Sequence, residues 1–176
     1  MAQRKILTYG HPTLKRKAAR VAGVDESVRA IVKDLFDSMY AARGIGLAAP
    51  QIDELLAVIV VDPTPISPEG TRALALINPL VLSYAGSSVF EEGCLSVPGT
   101  FAEVRRPESV RVSYLGCDGD ERIEDFAGMM ARAVQHEMDH LQGVLFVDRL
   151  SRMRRSLLTK RLREIAADSQ PDRPVL

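Results

Sequence analysis

Two histidines, His136 and His140, lie four positions apart in the chain, and Glu137 directly follows the first of them. Positions i and i+4 share one face of an α-helix, so both imidazoles can bind one metal ion while the carboxylate serves a water molecule beside it. The chain contains only three histidines, and two of them fall in this HExxH motif. Because histidine pairs also occur by chance on surface helices, the motif alone predicts a hydrolytic metal site without establishing it.

A third metal ligand must come from another part of the chain. No histidine follows His140, so the downstream ligand typical of zincin-type proteases is not a histidine here. The better candidate is Cys94, in the run EEGCLS at residues 91–96, whose thiolate would complete a Cys-His-His set. Three protein ligands leave one coordination position open, which is typical of a catalytic site. The other cysteine, Cys117, is expected to be a small, partly buried residue without a metal.

A segment rich in small residues, GIGLAAPQ at residues 44–51, follows a predicted helix. Its two glycines let a backbone approach a ligand closely, and Gln51 offers an amide donor to a developing oxyanion. The same residues also fit a helix that ends at Gly44 and a tight connection into a strand. The segment alone does not decide between these alternatives.

Taken together, three segments resemble the signature motifs of the peptide deformylase family. They are GIGLAAPQ at 44–51, EGCLS at 92–96 and QHEMDHLQG at 135–143. Their order and spacing match as well, and the likeness extends from residues 6–14 to a helix after Leu150. The resemblance implies a hydrolase that removes the formyl group from the N-formylmethionine of nascent polypeptides and releases formate.

The resemblance also implies one divalent metal ion, Fe²⁺ in the usual physiological form, with Zn²⁺, Ni²⁺ or Co²⁺ able to occupy the same site. The implied ligands are Cys94, His136 and His140. Glu137 would act as the general base on the attacking water and then return a proton to the departing amine. The Gln51 side chain and the Leu95 backbone N–H would stabilise the negative charge on the formyl oxygen.

The substrate site is likewise implied by the resemblance. The backbone of Gly44, Ile45 and Gly46 would pair with the extended peptide like an added strand. One apolar pocket would take the methionine side chain, and the family positions that line it fall on Ile45, Phe90, Met129, Ala133 and His136. Glu92 would lie near the substrate backbone.

Two charged residues on the HExxH helix have predicted roles beside the site. The stem of Arg132 would line the pocket with its charge at the rim, although a solvated helix charge fits equally well. By resemblance, Asp139 would pair with Arg106 and so hold the metal ligands in place. The chain departs from the better-known bacterial pattern at residues 99–101, where a polar pair ending in arginine is usual. Contacts to the second and third substrate residues are therefore not predicted.

Composition is that of an ordinary globular protein. The chain has 176 residues, 46% of them hydrophobic, and no internal repeat, so we expect one catalytic domain over residues 1–176 with a flexible tail at 168–176. A formal net charge of zero gives no indication of sequence-specific nucleic-acid binding. No apolar run approaches membrane length, and the opening residues lack the apolar core of a signal peptide, which predicts a cytoplasmic protein.

Hydrophobic periodicity predicts an α+β fold, in which antiparallel or mixed β-sheets surround a central HExxH helix. An N-terminal amphipathic helix is expected between Asp25 and Gly44, the metal helix over residues 128–142, and a C-terminal helix over residues 151–167. Strands are expected at residues 57–61, 74–77, 81–89, 110–115 and 122–126.

The C-terminal helix carries many basic residues although the chain has no net charge. In the resembled family this helix can dock on the ribosome, which would suit an enzyme that acts on nascent chains. A solvated helix face explains the same pattern. Two other functions are compatible with the motifs: a Cys-His-His peptidase that cleaves internal bonds, and a metal-dependent binding module without catalysis. Glu137 and Gln51 argue against the binding module, which needs neither a base nor an oxyanion donor.

Overall fold

The computed structural model of the protein describes residues 3–169. Over that range the chain forms four α-helices and seven β-strands, joined by loops and short 3-10 turns. The helices are α1 (Glu26–Ala41), α2 (Gly128–Leu141), α3 (Arg152–Leu157) and α4 (Thr159–Asp168). The strands are β1 (Gly46–Ala48), β2 (Val58–Val61), β3 (Leu74–Ala85), β4 (Ser88–Cys94), β5 (Val97–Arg106), β6 (Ser109–Leu115) and β7 (Glu121–Ala127).

The predicted antiparallel sheets are confirmed. Five strands form one sheet in the order β1-β2-β3-β6-β7, and β4 pairs with β5 in a separate hairpin. Strand β1 lies at an edge and pairs only with β2 within the sheet. The strands predicted at 74–77 and 81–89 are wrong in their bounds, because β3 continues through Asn78 and Pro79, where its pairing with β6 changes register, and residues 88 and 89 belong to β4. The hairpin and β1 were not predicted as such.

Helix α1 begins and ends where the sequence predicts. The Asp25 carboxylate accepts a hydrogen bond from the Val28 N–H at 3.0 Å, which caps the first turn. At the other end Arg43 adopts a positive φ of 55°, and the Gly44 N–H donates to the Met39 carbonyl. This reversal directs the chain from the helix into the edge strand β1.

Helix α2 occupies the centre of the molecule. Its non-ligand face packs against the large sheet in one hydrophobic cluster, with members Ile59, Val61, Leu76, Met130, Val134 and Leu141. Helix α2 ends just before Gly143, which has a φ of 71°. The predicted central HExxH helix is therefore confirmed, with its histidines held between the sheet and the β4–β5 hairpin.

The C-terminal helix predicted over residues 151–167 is confirmed, as two consecutive helices, α3 and α4, that are separated only by Leu158. Leu162 and Ile165 of α4 pack with Val97 and Val104 of β5 in a second cluster. Residues 170–176, most of the predicted tail, lie outside the described residues. No helix within residues 3–169 combines the length and apolarity needed to cross a membrane.

Candidate metal centre

The three predicted metal ligands converge. One turn of α2 carries His136 and His140 on the same face, and the last residue of β4 brings Cys94 opposite them. A register shift between Gly93 and Cys94 bends the strand at this point. The Sγ of Cys94 lies 3.4 Å from Nε2 of His140, and ligand atoms of all three residues lie within 4.8 Å of one another.

The electrostatics of these residues fit a cation. Both histidines are buried. Burial opposes protonation of His136, but hydrogen bonds with Cys94 and Glu92 outweigh it and raise the pKa of His136 well above its ordinary value. Burial and the neighbouring His136 lower the pKa of His140, which favours its neutral, ligating form. A thiol and two imidazoles around one point therefore suit a borderline or soft divalent metal.

Glu137 lies beside this group. Its side chain is buried, and Oε2 has no hydrogen-bond partner among the residues that the structure describes. Burial is the main reason that the pKa of Glu137 rises to about 7. Its carboxylate packs against Gly46 of β1, where a Cβ would lie only 2.9 Å from Cδ of Glu137. Any side chain larger than glycine at this point would therefore displace the carboxylate from its position beside the metal ligands.

Gln51 lies beside Cys94, in a 3-10 turn that follows β1. Its Oε1 accepts a hydrogen bond from the Ala48 N–H at 2.8 Å, which fixes the orientation of the amide. Its Nε2 donates to Ser96 Oγ at 3.0 Å and makes a long contact of 3.6 Å with Cys94 Sγ. The amide N–H directed at the cysteine is thus weakly bonded and can donate to another acceptor there.

A cleft of about 580 Å³ opens onto these residues. Eleven of the predicted site residues line it: Ile45, Gly46, Gln51, Phe90, Glu92, Cys94, Leu95, Met129, Ala133, His136 and Glu137. His140 and Gly44 are not among the lining residues. Gly44 lies close to Leu95, since a Cβ added at Gly44 would be 2.7 Å from Cδ1 of Leu95. The wall also includes Arg43 and Ile66, which were not predicted, and the divergent residues 99–101.

Glu92 and Arg132 have contacts that differ from the prediction. Glu92 lines the cleft, but both of its carboxylate oxygens bond to protein cations, including Arg106 at 2.6 and 2.8 Å. Burial opposes ionisation of Glu92, but the bonds from Arg106 and His136 outweigh it and lower its pKa. Arg132 lines the cleft, as predicted for its stem, but its guanidinium is buried against the β4–β5 hairpin and lies neither at the rim nor in solvent.

The predicted pair of Asp139 and Arg106 is confirmed, with Arg106 Nη1 2.7 Å from the carboxylate. Arg149, which the sequence analysis did not identify, also donates two hydrogen bonds to Asp139. Arg149 lies only nine residues after His140, but no residue pattern indicated that its side chain would contact Asp139. Cys117 is exposed rather than partly buried, and is not part of the Cys-His-His group.

Comparison with known proteins agrees with this geometry. Residues 3–156 match the model of the polypeptide deformylase family. The peptide deformylase of Chlorobaculum parvum is 46% identical over 158 residues, 89% of this chain and 84% of the relative. That of Thermomicrobium roseum is 49% identical over 153 residues, 85% and 87% of the two chains.

Solved structures show the same fold. A peptide deformylase from Legionella pneumophila has a TM-score of 0.85 and 40% identity, and the match covers 97% of this chain and 100% of the other. The Ehrlichia chaffeensis enzyme in complex with actinonin has a TM-score of 0.87 and 33% identity, with 97% and 100% coverage. The chain therefore belongs to the polypeptide deformylase family, metal-dependent hydrolases that remove the N-formyl group from nascent peptides.

Proposed function

We propose that this chain hydrolyses the formyl amide of N-formylmethionyl peptides at the cleft between α2, β1 and the β4–β5 hairpin. One observation carries the proposal: the ligand atoms of Cys94, His136 and His140 lie within 4.8 Å of one another. The buried carboxylate of Glu137, with an oxygen unpartnered among the described residues, lies beside them. A three-ligand metal site with an adjacent base is an arrangement that can catalyse amide hydrolysis.

Cys94, His136 and His140 would hold one divalent metal ion, and Fe²⁺ is the proposed physiological one. The same thiolate and imidazole donors accept Zn²⁺, Ni²⁺ or Co²⁺, so the ligand set alone does not select the ion. When bound, the metal supplies a Lewis acid that polarises the formyl group and acidifies a water.

Glu137 is the proposed general base and acid. It accepts the proton of the attacking water and returns a proton to the amine of the departing peptide. Its burial keeps bulk water away from the carboxylate, and its free oxygen leaves an acceptor for the reacting water. Gly46 allows this approach because it has no side chain.

Gln51 and Leu95 are the proposed donors to the oxyanion. The Ala48 N–H holds the Gln51 amide so that Nε2 is directed toward Cys94. The weak N–H···S contact costs little to exchange for a bond to a negatively charged oxygen. Leu95 lines the cleft in the turn after β4, where its backbone N–H would complete the pair.

The peptide would bind along the edge of β1. This strand is paired on one side only, so the backbone of Gly46 and of Gly44 and Ile45, which precede the strand, can receive an extended peptide as an additional strand. The methionine side chain would enter the part of the cleft lined by Ile45, Phe90, Met129, Ala133 and His136. Residues 99–101 lie in the same wall, where they would face later substrate residues.

We further propose that the protein acts in the cytoplasm as one catalytic domain and docks near nascent chains through α3 and α4. Met153 and Leu157 are exposed on α3, next to several basic residues. Arg154 and Arg161 already bond to β5 of the same chain, to Glu103 and to the Pro98 carbonyl. Within the described residues, Arg152, Lys160 and Arg163 have no acidic partner, and they would supply the charge toward a ribosome.

The reaction can be tested by product analysis. Anaerobically purified protein is incubated with formyl-Met-Ala-Ser, and the products are identified by mass spectrometry. We expect formate and intact Met-Ala-Ser, with acetyl-Met-Ala-Ser left unchanged as a control. Cleavage of the Met-Ala or Ala-Ser bond would instead identify a peptidase and contradict the proposal.

A further inference from the structure

Arg132 links the metal helix to both strands of the β4–β5 hairpin. It lies four residues before His136 on α2, and its guanidinium is almost fully buried, with 6% of the residue exposed. Nη1 donates to the Glu92 carboxylate at 2.6 Å and to the Val104 carbonyl at 3.1 Å. Nη2 donates to Ser88 through its carbonyl at 3.1 Å and its Oγ at 2.8 Å.

Glu92 transmits this contact to the metal site. The Oε1 atom that accepts from Arg132 also accepts from Arg106, while Oε2 accepts from Arg106 and lies 3.0 Å from Nδ1 of His136. An ionised carboxylate only accepts hydrogen bonds, so Nδ1 of His136 carries the proton in this contact. Nε2 is then the ring nitrogen that remains to bind a metal.

Arg106 does not fix the position of the Glu92 carboxylate relative to α2 as directly as Arg132 does. It belongs to β5 of the same hairpin as Glu92, and it reaches α2 only through Asp139. Arg132 instead comes from the helical turn that precedes His136 and grips the hairpin at Glu92, Ser88 and Val104. It therefore fixes the distance between the histidine and its carboxylate partner.

We propose that Arg132 is a positioning residue for the metal centre, which acts through Glu92 to hold Nδ1 of His136 and so aim Nε2 at the side of Cys94. This inference rests on the proposed Cys-His-His site. It gives Arg132 a role toward the metal ligand, although the residue also lines the cleft and its guanidinium carbon lies 5.8 Å from the centroid of Phe90.

The test is a double-mutant cycle on zinc affinity, measured by competition with a chelator at 25 °C, which needs no turnover. Arg132→Met keeps an unbranched apolar stem and removes the guanidinium. We expect it to weaken Zn²⁺ binding ~10- to 100-fold, the usual effect of removing a partner behind a metal-binding histidine. In a Glu92→Gln background, Arg132→Met should change Zn²⁺ affinity less than twofold, because the ionised Glu92 carboxylate that connects Arg132 with His136 is already absent.

Two further variants make the cycle decisive. Arg132→Lys restores one charged donor and should recover at least half of the lost Zn²⁺ affinity on a logarithmic scale. If Arg132→Met does not fold, Arg132→Lys takes its place in the cycle. Arg111→Met is the matched control, since Arg111 pairs with Asp125 on the exposed part of the large sheet and should leave affinity unchanged.

Several results would overturn the inference. One is wild-type zinc affinity in folded Arg132→Met. Another is an equal loss of zinc affinity on Arg132→Met in the wild-type and the Glu92→Gln backgrounds, which would show that Arg132 does not act through Glu92. A raised KM for formyl-Met-Ala-Ser with unchanged zinc affinity would make Arg132 a pocket residue instead. If the wild type itself binds no Zn²⁺, the proposed metal site fails, which is distinguishable from failure of this inference alone.

Discussion

Replacing Gly46 by alanine tests whether the Glu137 carboxylate must stay where the structure places it. The backbone of Gly46 has no positive φ, so alanine is compatible with the local conformation. The new Cβ would lie 2.9 Å from both Cγ and Cδ of Glu137 and would overlap Oε1. Non-bonded carbon atoms prefer separations of about 3.5–4.0 Å, so the carboxylate must move by about 1 Å.

A displacement of that size has a predictable effect on rate. Moving a catalytic group by about 1 Å typically costs about 100-fold, which corresponds to about 2.7 kcal/mol of transition-state stabilisation. We therefore expect kcat/KM for formyl-Met-Ala-Ser to fall about 100-fold in Gly46→Ala. Metal affinity should remain near that of the wild type, because the atoms nearest to the added Cβ all belong to Glu137 and none to the three ligands.

The assay is formate release by metal-saturated protein, with bound metal measured on the same samples. Gly23→Ala is the matched control, since Gly23 is exposed and an added Cβ there meets nothing within 4 Å. A crystal structure of Gly46→Ala should show Glu137 displaced. A Gly46→Ala enzyme with wild-type kcat/KM and an unmoved Glu137 would refute the reasoning.

Three other changes have defined outcomes. Cys94→Ser should lower bound metal in anaerobically purified protein, since a neutral hydroxyl is a poor substitute for a thiolate; wild-type metal content would remove Cys94 from the ligand set. Gln51→Leu should lower kcat ~100- to 1000-fold with little change in KM, and a change in KM alone would argue against an oxyanion donor. Burial opposes ionisation of Asp148, but the hydrogen bond from Lys15 outweighs it and lowers its pKa. At pH 7, Asp148→Asn should therefore lower the free energy of unfolding by about 1 kcal/mol. The difference between the two proteins should disappear as the pH falls through the acidic range below about 4, because the wild-type carboxylate becomes protonated there. A gap that persists at low pH would mean that the ionised carboxylate is not the stabilising form.

The parts of the fold that depend on local patterns were predictable. The 3.6-residue period of Val28, Val32, Leu35 and Met39 defines α1, and the spacing of the histidines defines one face of α2. Strands β6 and β7 were found within a residue at each end because they alternate and are bounded by turn residues.

The β4–β5 hairpin was harder to predict because its polar residues are satisfied by distant partners. Glu92 and Arg106 break the apolar alternation expected of strands, and their burial depends on each other and on Arg132. For the same reason the buried position of the Arg132 guanidinium could not be inferred: helix periodicity places the residue next to His136 but contains no information on the packing of the hairpin against α2. Arg149 reaches Asp139 only after the chain reverses at Gly143, a tertiary contact without a local signal.

The Cys-His-His group itself illustrates what a motif can and cannot convey. The histidine spacing alone fixes the relation between His136 and His140, since both lie on one helix. Sγ of Cys94 lies 3.4 Å from Nε2 of His140, and this contact depends on the bend at the end of β4, where the register with β5 shifts. That approach was implied only by resemblance to a family, and the structure supplies its physical basis.

The role of Glu137 as the base of a deformylase reaction at a Cys-His-His metal site is tested most directly by measuring formate release and bound metal together. Both are measured in the wild type and in Glu137→Ala, purified anaerobically. We expect about one metal per chain in each protein and a loss of formate release by several orders of magnitude in the variant. Undiminished formate release from fully metal-loaded Glu137→Ala would contradict this role.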